Sequence, residues 1–382
     1  MHILISPNAF KNSLNAEDAA SAIRHGLMQS NLHCTCECFP ISDGGDGTCD
    51  LIIKKCGGVL VTKDVHDPLG RSVQATFGLI DSGKTAILEM ANASGLRLLK
   101  HSELDPLHST SFGTGEQISI ALDKGATKII IGMGGSATVD GGTGILHALG
   151  IRFLNAAGEN LTVLPENFTQ LVTVDTSRLD QRIFDCEVIV LCDVDNFLLG
   201  EQGAAAIFGP QKGASPEAVT KLEASLERLA QVTLQQTGKD ISNIKYGGTA
   251  GGAAAGLYAF LNAKLVNGID YYLELTNFEK ALEQADLVIT GEGSIDEQTL
   301  QGKGPFGVAQ KAKSKGIPVI ALAGKVPLVK NVELQKYFDV LMSIGEGTFD
   351  MKTALTSASA NLTRTSREIG NLLSLLELRS DP

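Results

Sequence analysis

Glycines stand beside carboxylates or lysines at several places where an apolar run ends. Pro7-Asn8-Ala9-Phe10-Lys11-Asn12-Ser13 follows an apolar run at 3–6. Ser42-Asp43-Gly44-Gly45-Asp46-Gly47-Thr48 follows a shorter one. The run at 128–131 leads into Gly132-Met133-Gly134-Gly135-Ser136-Ala137-Thr138-Val139-Asp140, and that at 188–192 into Asp193-Val194-Asp195-Asn196. The runs at 287–290 and 318–322 lead into Gly291-Glu292-Gly293-Ser294-Ile295-Asp296 and Ala323-Gly324-Lys325. Glycine lets backbone N–H groups approach an anion, and a following helix presents its positive end. Carboxylates in such loops suit a bound Mg²⁺ or a proton taken from a hydroxyl. Phosphoryl transfer to an alcohol needs this combination. Taken singly, each Gly-Gly-Asp cluster is an ordinary turn. Their recurrence along one expected sheet edge points to a site.

Other signals qualify this. No G-K-[ST] closes a glycine-rich loop, so a P-loop is excluded. The Gly132 loop matches the dinucleotide pattern G-x-G-x-x-G/A, with Glu159 about 20 residues on. A second glycine group, Gly141, Gly142 and Gly144, delays the helix that this pattern requires. An NAD-dependent oxidoreductase of a small hydroxy acid is therefore an alternative. Lys212, in Gly209-Pro210-Gln211-Lys212-Gly213, reads either as a phosphate ligand or as part of a solvated turn. Lys303 stands just before a helix with Pro305 in its first turn, a reasonable phosphate ligand.

The elements that must position these residues are short apolar strands alternating with helices, an α/β pattern. Helices are expected at 16–29, with Asn15 as cap, and at 215–236 and 351–376. Three consecutive strands, 61–66, 73–79 and 85–90, interrupt the alternation and imply an antiparallel part of a mixed sheet. Residues 1–62 plus 285–382 are expected to form a doubly wound parallel-sheet domain, with 63–284 inserted as a mixed-sheet α/β domain. A length of 382 residues suits two domains.

Composition narrows the partners. A net charge of −11 argues against nucleic acid. No apolar run approaches the roughly 18 residues of a membrane span. With no secretory signal evident and an odd number of cysteines, seven, a reducing cytoplasmic location is expected. Cys34, Cys36 and Cys38 alternate, which puts three thiols on one strand face. Their spacing is not that of a zinc site, so a buried strand face is expected. Oligomeric state is not readable, and a homodimer stays open.

Eight stretches in order carry a resemblance to a known family. They are 7–14 (PNAFKNSL), 42–48 (SDGGDGT), 67–70 (DPLG), 132–142 (GMGGSATVDGG), 192–196 (CDVDN), 208–214 (FGPQKGA), 248–252 (GTAGG) and 288–296 (VITGEGSID). The chain resembles the type I glycerate kinases from near residue 1 to about residue 370. That resemblance implies ATP and Mg²⁺, glycerate as acceptor and 2-phosphoglycerate favoured over 3-phosphoglycerate. It also implies one flavodoxin-like domain and one resembling restriction endonucleases. The family usually has Asp and Ser where Asn8 and Ala9 stand, Arg at Ser294 and Asn at Val139. Those departures leave a non-catalytic carboxylate-binding protein with a kinase fold as a further alternative.

Roles are expected as follows, with the active site between the domains. Asp193 acts as general base or Mg²⁺ ligand, and Lys11 neutralises the acceptor carboxylate or the phosphate. Ser13, Asp43, Gly44, Gly45, Asp46, Glu292 and Asp296 bind substrate. Gly134, Gly135, Ser136, Thr138, Gly291, Gly293, Lys303 and Lys325 bind nucleotide phosphates. Asp195 is a further metal ligand, and Asp140 caps the following helix or binds metal.

Overall fold

The computed structural model describes residues 1–161, 165–345 and 351–377, with backbone alone for 351, 352, 376 and 377. The chain divides into two compact units, Met1–Asp43 with Ile269–Pro382, and Gly44–Gly268.

The first unit holds a five-stranded sheet in the order Val340–Ser343, Val319–Lys325, Leu287–Ser294, His2–Pro7, Thr35–Cys38. All pairings are parallel. Ile3, Leu4, Ile5, Val288 and Ile289 are fully buried without alternation, because helices cover both faces. Strand order reverses between His2–Pro7 and Leu287–Ser294, the doubly wound arrangement. Helix Ala16–Met28 starts where the Asn15 side chain accepts from the Asp18 N–H at 2.8 Å. Its Ala19, Ala20, Ile23 and Leu27 form the buried stripe. The helix expected at 351–376 is two helices, Met351–Thr356 and Ala358–Glu377, interrupted at Ser357.

The second unit is built on a six-stranded mixed sheet. Its order is Lys264–Asn267, Glu187–Cys192, Lys128–Gly132, Thr85–Glu89, Ser72–Ile80, Val59–His66. The first four strands run parallel and the last two form an antiparallel hairpin. Asp67 closes that hairpin by accepting from the N–H groups of Leu69 and Arg71.

The boundaries expected at 62 and 285 differ from this division. Helix Thr48–Cys56 goes with the second unit because Ile53 and Cys49 pack against Gly78, and the Cys49 thiol donates to the Ile87 carbonyl. Helix Gly268–Leu275 goes with the first unit because the Tyr272 hydroxyl donates to Pro40 O at 2.8 Å. Phe278 meets Phe39 edge to face there as well. Cys34, Cys36 and Cys38 are half-buried against the first unit's core, with 3.8 Å between the Cys34 and Cys36 sulfurs. Burial pushes the Cys36 thiol up to about 12. Among the described residues no helix is long and apolar enough to cross a membrane.

Gly256, inside helix Ala253–Leu261, lies against the preceding glycine loop. A Cβ there would stand 2.1 Å from the Gly141 carbonyl oxygen. We expect Gly256→Ala to lower stability by about 2–3 kcal/mol through forced backbone movement. A lowered urea midpoint at unchanged m-value checks this.

Candidate active site

In the first unit, side chains gather where the strand order reverses. The Asn8 amide donates to Asp43 Oδ2 at 2.9 Å, and the Gly304 N–H donates to the same oxygen at 3.3 Å. Gly304 opens helix Gly304–Ser314, so Asp43 also sits at a positive helix end. Glu292 is buried and accepts from the Thr299 hydroxyl at 3.2 Å. Burial raises its pKa from 4.5 to about 7, and the Asp43 charge adds to the rise. Lys303, Thr299 and Lys11 act in the opposite sense.

Several expected residues do other work. The strand expected to stop at 290 runs to Ser294, paired with Lys325. Gly291 is therefore a strand residue, placed where a Cβ would stand 2.1 Å from Leu322 O. Gly293 and Lys325 are strand residues as well. Asp296 caps the short helix Glu297–Gln301, accepting from the Gln298 N–H at 2.9 Å. The Ser13 hydroxyl donates to Leu355 O at 2.5 Å, tying its loop to the C-terminal helices. Lys325 is exposed beside a cavity of about 420 Å³, lined also by Ser294, Asp296, Gln298, Leu328 and Asn331.

The second unit holds a different group. The Gly134 N–H donates to Gly44 O at 3.0 Å, and a Cβ on Gly134 would meet Gly45 Cα at 2.6 Å. Ala137 N–H donates to Ser94 O, and Gly135 O accepts from the Leu96 N–H. The Gly134 N–H is thus engaged by protein, and Gly44 and Gly45 serve close backbone contact. A Cβ on Gly135 would stand 2.8 Å from Asp46 Oδ1, which puts Asp46 against this loop. Asp140 accepts from Ser111 N–H and hydroxyl and from the Gly142 and Gly144 N–H groups. Four donors fill its oxygens, so it caps helix Thr143–Ala148 and is a poor metal ligand.

Lys212 is no solvated turn. It is 3% exposed, and its ammonium donates to Ser136 Oγ at 2.8 Å and Thr138 O at 2.7 Å. Burial lowers its pKa to about 7, against the pull of Asp140 and Asp193. The Thr138 hydroxyl is buried without a hydrogen-bond partner among the described residues. Asp193 is half-buried just beyond strand Glu187–Cys192, and Asp195 is exposed. The dinucleotide reading fails on geometry. The helix begins only at Thr143, and Glu159 lies in a turn where its carboxylate accepts from the Asn155 amide.

Glu89 escaped the sequence reading. It ends strand Thr85–Glu89, is buried, and accepts from Cys49 N–H at 2.6 Å and Gly47 N–H at 3.3 Å. Burial raises its pKa to about 7, with Asp46 adding to the rise. The signal was a carboxylate at the carboxyl end of an apolar strand, hidden because the strand was expected to continue through residue 90.

A family model described as the glycerate kinase family matches residues 3–374. The chain belongs to the glycerate kinase family. It is 42% identical over 379 residues to the glycerate 2-kinase of Escherichia coli K12, with 98% of each chain covered. It is 41% identical over 375 residues to the glycerate kinase of Bacillus subtilis 168, again with 98% of each covered. A crystal structure provisionally named glycerate kinase 2, from Salmonella typhimurium LT2, aligns with a TM-score of 0.83 at 40% identity, covering 99% of both chains.

Glu292 binds its proton more tightly folded than unfolded. Its contribution to stability is full below pH 4.5 and is lost as the pH rises through about 7. Glu292→Gln should flatten that stretch of the stability curve. Urea midpoints of both proteins at about pH 5 and about pH 8 test this.

Proposed function

We propose that the protein transfers the terminal phosphoryl group of ATP to a hydroxyl of glycerate, with Mg²⁺, giving 2-phosphoglycerate in preference to 3-phosphoglycerate. What supports it most is Glu292, a buried carboxyl with a pKa of about 7 flanked by two lysines. A base is most effective when its pKa lies near the working pH. Glu292 takes the proton of the acceptor hydroxyl, and Lys11 and Lys303 neutralise the acceptor carboxylate. This moves the base from Asp193 to Glu292. The 42% identity to a protein named glycerate 2-kinase supports the 2-position.

The phosphate side falls to the second unit. Two N–H groups of Lys212 hold Ser136 and Thr138, and a third serves a phosphate oxygen. An arriving phosphate favours the charged form of this lysine. Mg²⁺ needs only one or two carboxylates besides phosphates and water. Asp193 and Asp195 meet that need, and the ion held there would neutralise charge on the phosphates. A cytoplasmic location accords with these substrates.

The decisive assay is ADP release with Mg·ATP and (R)-glycerate, with the product's phosphate position read by phosphorus NMR. Glycerate-dependent ADP with a 2-phosphoglycerate signal is the expected result. No stimulation by glycerate overturns the acceptor. We expect Asp193→Asn and Glu292→Gln each to lower kcat by about 100-fold or more. In Glu292→Gln the rise of rate with pH through about 7 should also vanish. Near-normal turnover in either variant removes that residue from the catalytic set.

A further inference from the structure

We propose that Glu89 is a positioning residue: its ionised carboxylate pins the turn at 44–48 to the end of strand Thr85–Glu89 and thereby fixes Asp46. It depends on the kinase reading for its kinetic readout alone.

Helix Thr48–Cys56 begins after Gly47, which has no side chain to cap it. An ordinary helix draws its cap from a neighbouring Ser, Thr, Asp or Asn. Here the cap comes from another strand. Glu89 Oε1 accepts from Cys49 N–H at 2.6 Å and Oε2 from Gly47 N–H at 3.3 Å, across about forty positions of sequence. Asp46 is the residue immediately before this capped pair, and its carboxylate oxygen lies against Gly135.

The chain leaving Glu89 grips the second loop. Ser94 O accepts from Ala137 N–H, and Leu96 N–H donates to Gly135 O, both at 2.9 Å. One short segment therefore holds the turn carrying Asp46 and the loop carrying Ser136. Nothing about substrate contact is required of Glu89 itself, which is 4% exposed.

The charged and titratable groups around it are Asp46 on the turn, Arg97 beyond strand Thr85–Glu89, and Cys49 and Asp50 on the helix. Asp46 opposes ionisation of Glu89 and Arg97 favours it. A protonated carboxyl keeps one strong acceptor oxygen and offers a donor at the other. It can no longer satisfy both N–H groups equally, so the turn loosens on the acid side of about 7.

The test compares wild type with Glu89→Gln by amide hydrogen exchange and steady-state kinetics. Exchange at Gly47 and Cys49 should quicken tenfold or more, while strand Lys128–Gly132 stays protected. KM for ATP should rise about tenfold with kcat changed less than about threefold. Glu89→Asp, which keeps the charge, should recover part of both. Unchanged exchange at Gly47 and Cys49 overturns the proposal, as does a loss confined to kcat. Should Glu89→Gln fail to fold, wild-type protection at these two amides decides. Corrected for intrinsic rates, it should rise between about pH 5.5 and about pH 8.5, and a flat profile overturns the proposal. A wild type without glycerate turnover would sink the proposed function and leave the exchange test standing.

Discussion

In the second unit, backbone must touch backbone where three loops meet. A Cβ at Gly134 would strike Gly45, one at Gly251 would lie 2.1 Å from Thr138 O, and one at Gly256 would lie 2.1 Å from Gly141 O. Contacts this close leave no room for side chains, which is why glycine is dense between residues 132 and 142 and between 247 and 256. The consequence is chemical as well as steric. Loops stacked this tightly exclude water from the strand ends they join. Glu89, Asp140 and Lys212, rooted among them, are buried.

Desolvation sets the electrostatics in each unit. For Glu89, Glu292 and Lys212 it is the largest influence on the pKa, ahead of every charge or hydrogen bond nearby. For Glu292 the displacement from 4.5 to about 7 corresponds to something on the order of 3 kcal/mol. A hydrogen bond such as that from Thr299 is worth about 1 kcal/mol net, too little to reverse it. The three groups all change charge near neutral pH, but their company differs. Glu292 has two lysines and a carboxylate, Lys212 has two aspartates, and Glu89 has two backbone N–H groups. The same physical cause therefore underlies the proposed base, the proposed phosphate ligand and the proposed structural pin.

How much of this was readable follows from which interactions are local. The parallel strands were legible because each is a short apolar run, and helix Ala16–Met28 because Asn15 caps it within its own sequence neighbourhood. The strand ends that carry the candidate residues were legible for the same reason, but they belong to two sheets and not to one edge. What each residue does there was not. Asp140 read equally as a helix cap or a metal ligand, and Ser111, distant in sequence, favours the cap by occupying one of its oxygens. Lys212 looked like half of a turn because its burial depends on Ser136 and Thr138, about 75 residues away. Gly291 and Gly293 looked like loop residues because glycine ordinarily ends a strand. Here the neighbouring strand approaches so closely at Leu322 that only glycine continues it.

Two of the departures from the family pattern, Asn8 and Ser294, make sense together. An Asp at position 8 would place a second carboxylate against Asp43, beside the already strained Glu292. Asn8 instead donates to Asp43 at 2.9 Å, which relieves like-charge repulsion and holds the loop with a neutral amide. An Arg at position 294 would add one positive charge near the same strand end, and Ser294 omits it. One negative and one positive charge are absent relative to the usual family pattern, so the net charge around Glu292, Lys11 and Lys303 is kept. What changes is volume. Ser294 lines a cavity of about 420 Å³ into which a longer side chain would reach. The group around Glu292 thus keeps its charge balance, while Ser294 lacks the planar fork that grips a carboxylate by two bonds. On the proposed roles of Lys11 and Lys303, these two point charges constrain the orientation of the acceptor less than a bidentate arginine does.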